Sequence, residues 1–153
     1  MGIKIESSGF KNEGMIPSKY TCDGENVSPP LTWSEPPAGT KSFALIADDP
    51  DAPGGTFVHW VVYNISPNVR EFPEDVTVKS ISDGAVEGTN HFSEENYGGP
   101  CPPSGIHRYY FKLYALDTTL ALKSGAGKNA LLKAMEGHIL AQGELIGKYS
   151  RKR

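Results

Sequence analysis

Thr56-Phe57-Val58-His59-Trp60-Val61-Val62-Tyr63-Asn64-Ile65 is the stretch from which the fold is read. β-branched and aromatic side chains fill it, and these suit a pleated, half-buried surface better than the crowded turn of a helix. As a strand it alternates, so His59 shares a face with Phe57 and Val61. An imidazole without a partner on that apolar face would be costly, so His59 must meet a hydrogen-bonding group or border a cavity.

Working outward, Phe43 to Asp48 is a second apolar run of strand length, and Arg108 to Leu116, Arg-Tyr-Tyr-Phe-Lys-Leu-Tyr-Ala-Leu, is a third. Shorter strand candidates are Ile3 to Ser7, Leu31 to Trp33, Val76 to Ile81 and Ala85 to Gly88. Ser28-Pro29-Pro30, Glu35-Pro36-Pro37-Ala38-Gly39 and Asp49-Pro50-Asp51-Ala52-Pro53-Gly54-Gly55 separate them. In each, proline restricts φ and small or polar residues permit a turn. The pattern predicts a mainly β, antiparallel sandwich. Near the end, Leu131, Leu132, Met135 and Ile139 recur at helical spacing, which predicts an amphipathic helix over Asn129 to Gln142 and leaves room for a short second one from Glu144. These are one or two peripheral C-terminal helices on a β core.

The whole chain, 1–153, reads as one domain, with no repeat, low-complexity tract or charge block to divide it. It has 38% hydrophobic and 22% charged residues, a globular balance, and its formal charge of -3 excludes the broad basic face that nucleic-acid binding requires. The basic end Lys148 to Arg153 reads as a solvated tail. No segment has the length of a bilayer span or the apolar core of a signal peptide, so no stable membrane insertion and a cytoplasmic location are expected. Gly2 invites myristoylation, but Glu6 stands where that motif wants Ser or Thr. Cys22 and Cys101 form no C-x-x-C pair. Two free thiols are the plain reading; both cysteines lie in loop-like sequence, and a disulfide between them is the alternative.

Thr89 to Gly105 has no periodicity. Loops beyond about 15 residues are usually functional or disordered, and the proline and aromatic content here favours an ordered, functional one. Alternation from His107 places His107 and Tyr109 on one face and turns Arg108 to the other, where it is expected to pair structurally with a carboxylate. Asp49 and Asp51 flank Pro50 in a turn that fixes their direction. Taken singly, a turn aspartate or a strand histidine is more often a satisfied structural group than a functional one.

The combination of Asp49-Pro50-Asp51-Ala52-Pro53, His59-Trp60 and Gly105-Ile106-His107-Arg108-Tyr109 resembles the phosphatidylethanolamine-binding protein family. Ile16-Pro17, Tyr20 to Gly24, Ser28 to Leu31 and Tyr97 to Pro103 are similar to its compact prokaryotic, Raf-kinase-inhibitor-like branch. The resemblance implies a β-sandwich with peripheral helices and a pocket lined by Asp49, Asp51, His59, His107 and Tyr109, with Pro102 and Gly99 on its rim. Members of the branch are often homodimers, and the family includes kinase modulators and serine-protease inhibitors.

Imidazoles and a phenol donate hydrogen bonds to phosphate or carboxylate oxygens, and neighbouring carboxylates hold imidazoles charged and oriented. The expected role is therefore non-enzymatic binding or regulation around a small anionic ligand, phosphate or a phosphoethanolamine-like headgroup, with the ammonium facing Asp49 or Asp51. Three alternatives stand beside it. One is a protein-interaction module acting on a kinase or protease. Another is a metal site, were His59, His107, Asp49 and Asp51 to converge. The last is a metal-dependent or acid/base hydrolase, for which no Gly-x-Ser-x-Gly elbow is present and Cys101 is the nearest nucleophile. No cofactor is expected.

Overall fold

The computed structural model describes residues 2–82 and 84–151. Met1, Asp83, Lys152 and Arg153 lie outside them, and with the last two goes the end of the basic run expected to be a solvated tail. The strands are β1 (Ile5–Glu6), β2 (Gly14–Met15), β3 (Leu31–Trp33), β4 (Ser42–Asp49), β5 (Phe57–Ile65), β6 (Glu71–Phe72), β7 (Val86–Glu87), β8 (His107–Leu116) and β9 (Ile139–Tyr149). Two α-helices, α1 (Val78–Ile81) and α2 (Lys128–Met135), and a single 3-10 turn, Ser18–Tyr20, complete the list among the described residues. One sheet runs β2-β9-β8-β4-β5-β7 and faces a small sheet β1-β3-β6. Among the described residues the strands pair antiparallel except β2 with β9, which is parallel, as is the isolated Gly2–Gln142 bridge.

The long sheet is covered on both faces, which is why β4 is apolar and buried without alternation. Between the sheets, Phe43, Leu45, Trp60, Val62, Phe72, Phe111 and Leu113 form one core. On the other face Ala44, Ile46, Val61 and Tyr63 pack under Leu131 and Met135 of α2.

Two register changes shape β5. Asp48 opposes Val58 while Ala47 opposes Trp60, so His59 is the extra residue of a β-bulge. Bulges interrupt alternation and re-aim side chains. Phe57 and His59 stay together, their ring centroids 5.0 Å apart, but Val61 joins the α2-side core instead of sharing their face. Further on, Phe43 opposes Ile65 and Leu45 opposes Val62, which again leaves one extra residue. There Asn64 takes a left-handed φ of 57°. Its side chain accepts from Leu120 N–H at 2.7 Å and donates to Leu120 C=O at 2.9 Å, which offsets the strain.

Four sequence expectations are corrected. Val78–Ile81 is one helical turn, not strand. Helix α2 ends at Met135, because Gly137 takes φ 79°, which favours glycine and ends the turn. Ile139 and Glu144 to Tyr149 belong instead to β9, paired with β8, so no second C-terminal helix forms among the described residues. Lys148 and Tyr149 are strand residues for the same reason. Among the described residues, no helix is long and apolar enough to cross a membrane.

Candidate functional site

At the end of the inter-sheet core a cavity of 260 Å³ opens, walled by Asp49, Ala52, Pro53, Phe57, His59, Phe92, Cys101, Pro102, Pro103, His107 and Tyr109. A larger hollow of 540 Å³ lies between residues 2–12 and β9. Its Lys4 and Glu6 pair with each other on the surface at 3.8 Å, so size does not make it the better site.

The central pair is Asp49 at the end of β4 and His107 at the start of β8. Asp49 Oδ2 lies 2.6 Å from His107 Nδ1, with both side chains almost fully buried at 4% and 8% exposure. The Asp49 Oδ1 accepts the Asp51 N–H at 2.7 Å, so the turn itself holds the carboxylate still. With Nδ1 donating to Asp49, the nitrogen of His107 left for a ligand is Nε2.

Two residues along β8, the Tyr109 hydroxyl is buried without a hydrogen-bond partner among the described residues. Burial first, then the nearby Asp49 and Asp51 carboxylates, pushes its ionisation well above the ordinary phenol range, so it stays a neutral O–H. A buried hydroxyl left unpaired costs about 1–3 kcal/mol, and this one belongs to the cavity wall.

His59 reaches the same wall from its bulge. Its Nδ1 lies 2.7 Å from the Gly98 carbonyl oxygen, and burial pushes its protonation below the ordinary imidazole range. Phe57, Phe92 and Tyr109 surround the ring at centroid distances of 5.0, 5.5 and 5.3 Å.

The segment 89–105 supplies the rest of the wall, and Asn90 orders it. That buried side chain accepts from Phe92 N–H and Glu94 N–H at 2.9 and 3.1 Å and donates to Asn96 C=O at 2.7 Å. His91 N–H donates to Val58 C=O and His91 Nδ1 accepts Val58 N–H, which stitches the segment to β5. At its far end Cys101 is joined to Cys22 with the Cα atoms 5.5 Å apart, and Cys22 N–H donates to Pro100 C=O at 3.1 Å. The alternative reading of the two cysteines is the correct one, and neither is a free thiol.

Of the residues singled out in the sequence, Asp49, His59, His107, Tyr109 and Pro102 meet at this cavity. Asp51 and Gly99 do not line it. Asp51 sits across the turn, where Arg108 holds it by three bonds: backbone N–H and Nε to Oδ2, both 2.9 Å, and Nη2 to Oδ1, 2.8 Å. That guanidinium drives the Asp51 carboxyl down to about 2. Gly99 is packed against Tyr20 and Thr21, and its N–H donates to Asn26 Oδ1 at 2.9 Å. Phe92, Ala52, Pro53 and Pro103 are wall residues not singled out in the sequence, although the last three lie inside the quoted motifs; Phe57 is signalled by alternation, which places it beside His59. Among the described residues, no three of His, Cys, Asp and Glu are grouped so as to hold a metal ion.

A two-sheet β domain with a recessed aromatic cavity and a few convergent polar groups is a binding-type protein. The family model for phosphatidylethanolamine-binding proteins matches residues 6–150, and the chain belongs to that family. A UPF0098 protein of Methanothermobacter thermautotrophicus is 51% identical over 150 residues, covering 97% of this chain and 99% of that protein. The crystal structure of a phosphatidylethanolamine-binding protein homolog from Chlamydia trachomatis is similar at 42% identity and TM-score 0.92, covering 99% of both chains. That of Escherichia coli YbcL is similar at 34% identity and TM-score 0.91, covering 99% of this chain and 100% of that one.

Proposed function

We propose that this chain is a non-enzymatic binding or regulatory protein that holds a phosphate-type anion in the cavity of Asp49 and His107. The observation that carries the reading is the partnerless, buried Tyr109 hydroxyl beside the Asp49–His107 pair. A charged imidazole backed by a carboxylate and a neutral phenol donor are two converging donors, and an oxyanion satisfies both. Cys101, the thiol nearest His107 in sequence, is held in the disulfide, and this supports binding over turnover. The cavity is too small for the acyl chains of a lipid, so a headgroup or a free phosphate is the ligand scale.

Calorimetric titration of inorganic phosphate and phosphoethanolamine, on either side of an ordinary histidine pKa of ~6.5, tests this. The expected result is binding that weakens at the higher pH and is lost in His107→Ala. No heat from either compound at either pH overturns the reading.

A further inference from the structure

We propose that the cavity selects oxyanions that carry a proton, namely hydrogen phosphate and phosphomonoesters, over those that carry none, sulfate and phosphodiesters, and that His59 makes the selection. The inference rests on the oxyanion reading of the cavity and specifies its ligand.

A carbonyl oxygen can only accept, so the 2.7 Å contact between His59 Nδ1 and Gly98 C=O places the ring's proton on Nδ1. In the neutral ring Nε2 is then a lone-pair acceptor, and no donor of the described residues is hydrogen-bonded to it; the Gly99 backbone, beside Gly98, also acts on the ring and favours its N–H. Charging the ring would place a cation at 5% exposure among three aromatic rings. The acidic groups facing it are Asp48 and Asp49 of β4, and both are engaged elsewhere. Asp49 is paired with His107, and Asp48 accepts from Lys128 at 2.7 Å and Lys112 at 3.5 Å on the other side of the sheet. From β8, Tyr109 adds a neutral hydroxyl and His107 an imidazole with its own carboxylate. Burial therefore prevails and His59 stays neutral.

The cavity presents two donors, Tyr109 O–H and His107 Nε2–H, and one acceptor, His59 Nε2. A P–OH group meets the acceptor while its other oxygens meet the donors. A diester or sulfate turns an oxygen lone pair toward the Nε2 lone pair. The difference expected is roughly tenfold to hundredfold, the loss when one buried acceptor faces no donor. Proton balance gives a second signature. A monoester, whose second pKa is ~6, is mostly a dianion at about pH 7.5, so its bound form must take up about one proton from the buffer.

The test is calorimetry of methyl phosphate, dimethyl phosphate and sulfate against the wild-type protein, in buffers of differing ionisation enthalpy. Methyl phosphate should bind roughly tenfold or more tightly than the other two, with a proton uptake about one greater than theirs. In His59→Phe the three affinities should converge. Equal wild-type affinities, or equal proton uptake by all three ligands, overturn the selection while leaving an oxyanion site standing. Tighter binding of dimethyl phosphate overturns it in favour of a lipid-type diester headgroup. Failure of all three to bind removes this inference together with the function it rests on. The wild-type series decides the matter even if His59→Phe does not fold.

Discussion

Removing the disulfide should cost more than any other single change short of the core, and the size follows from chain topology. Cys22 and Cys101 are 79 residues apart in sequence. Closing a loop of that length removes enough entropy from the unfolded chain to stabilise the fold by about 4.5 kcal/mol, against 2–4 kcal/mol typically measured. With an unfolding entropy of about 2.1 cal/mol/K per residue, a chain of this length has about 320 cal/mol/K in total, so 3–4.5 kcal/mol lowers Tm by roughly 9–14 °C. The perturbation is Cys22→Ala with Cys101→Ala, compared by thermal circular dichroism with wild-type protein and with wild-type under reductant. Alanine adds no buried polar group, so the entropic effect is isolated. Both treatments should reach the same lowered Tm. Because Cys101 is part of the cavity wall, phosphate affinity should fall as well. A double variant that unfolds within about 2 °C of wild type, or two reactive thiols in the native unreduced protein, would refute the reasoning.

Two further outcomes follow from the charges. Burial holds His59 below the ordinary imidazole range, so its contribution to stability is intact above the unfolded value of ~6.5 and is lost as pH falls from there through the folded value. Urea midpoints between about pH 7 and pH 5 should show that loss in wild type and less of it in His59→Phe. Asp51→Ala should leave phosphoethanolamine binding within about twofold of wild type, because Arg108 already occupies that carboxylate. Asp51's own pH signature lies lower, present above its usual 3.8 and lost toward about 2. A large loss of affinity in Asp51→Ala, by calorimetry, would return Asp51 to the cavity.

The strands that position the site were legible because their physics is local. Alternation along β8 puts His107 and Tyr109 on the inner face and Arg108 outside, as found. What escaped reading depends on partners distant in sequence. The bulge at His59 is a mismatch of count between β4 and β5, and nothing within β5 announces it. Ile139 and Leu140 continue the helical spacing of α2 but lie on β9, since a long partner in β8 outweighs a weak local preference. The cavity wall from segment 89–105 depends on Asn90, one polar residue among many in a loop; its role becomes visible only when its four bonds are seen.

Three aspartates within four residues meet three different environments, and this determines the electrostatics of the site. Alternation sends Asp48 through the sheet to two lysines, where it is buried and over-compensated. The turn carries Asp51 outward to Arg108, a cation that never gives up its proton, so that pair is fixed. Asp49 alone is paired with an imidazole, whose partnership is an ion pair only when the ring is protonated. With Asp48 and Asp51 neutralised by permanent partners, Asp49 is the one carboxylate of the three whose answer to a ligand's charge depends on an imidazole. A cleft lined by three free carboxylates would repel an anion; one in which two are answered and the third is answered conditionally can accept one and release it. The Pro50 turn is therefore more than a connection, because it separates Asp49 from Asp51 and leaves the imidazole of His107 facing one carboxylate instead of two.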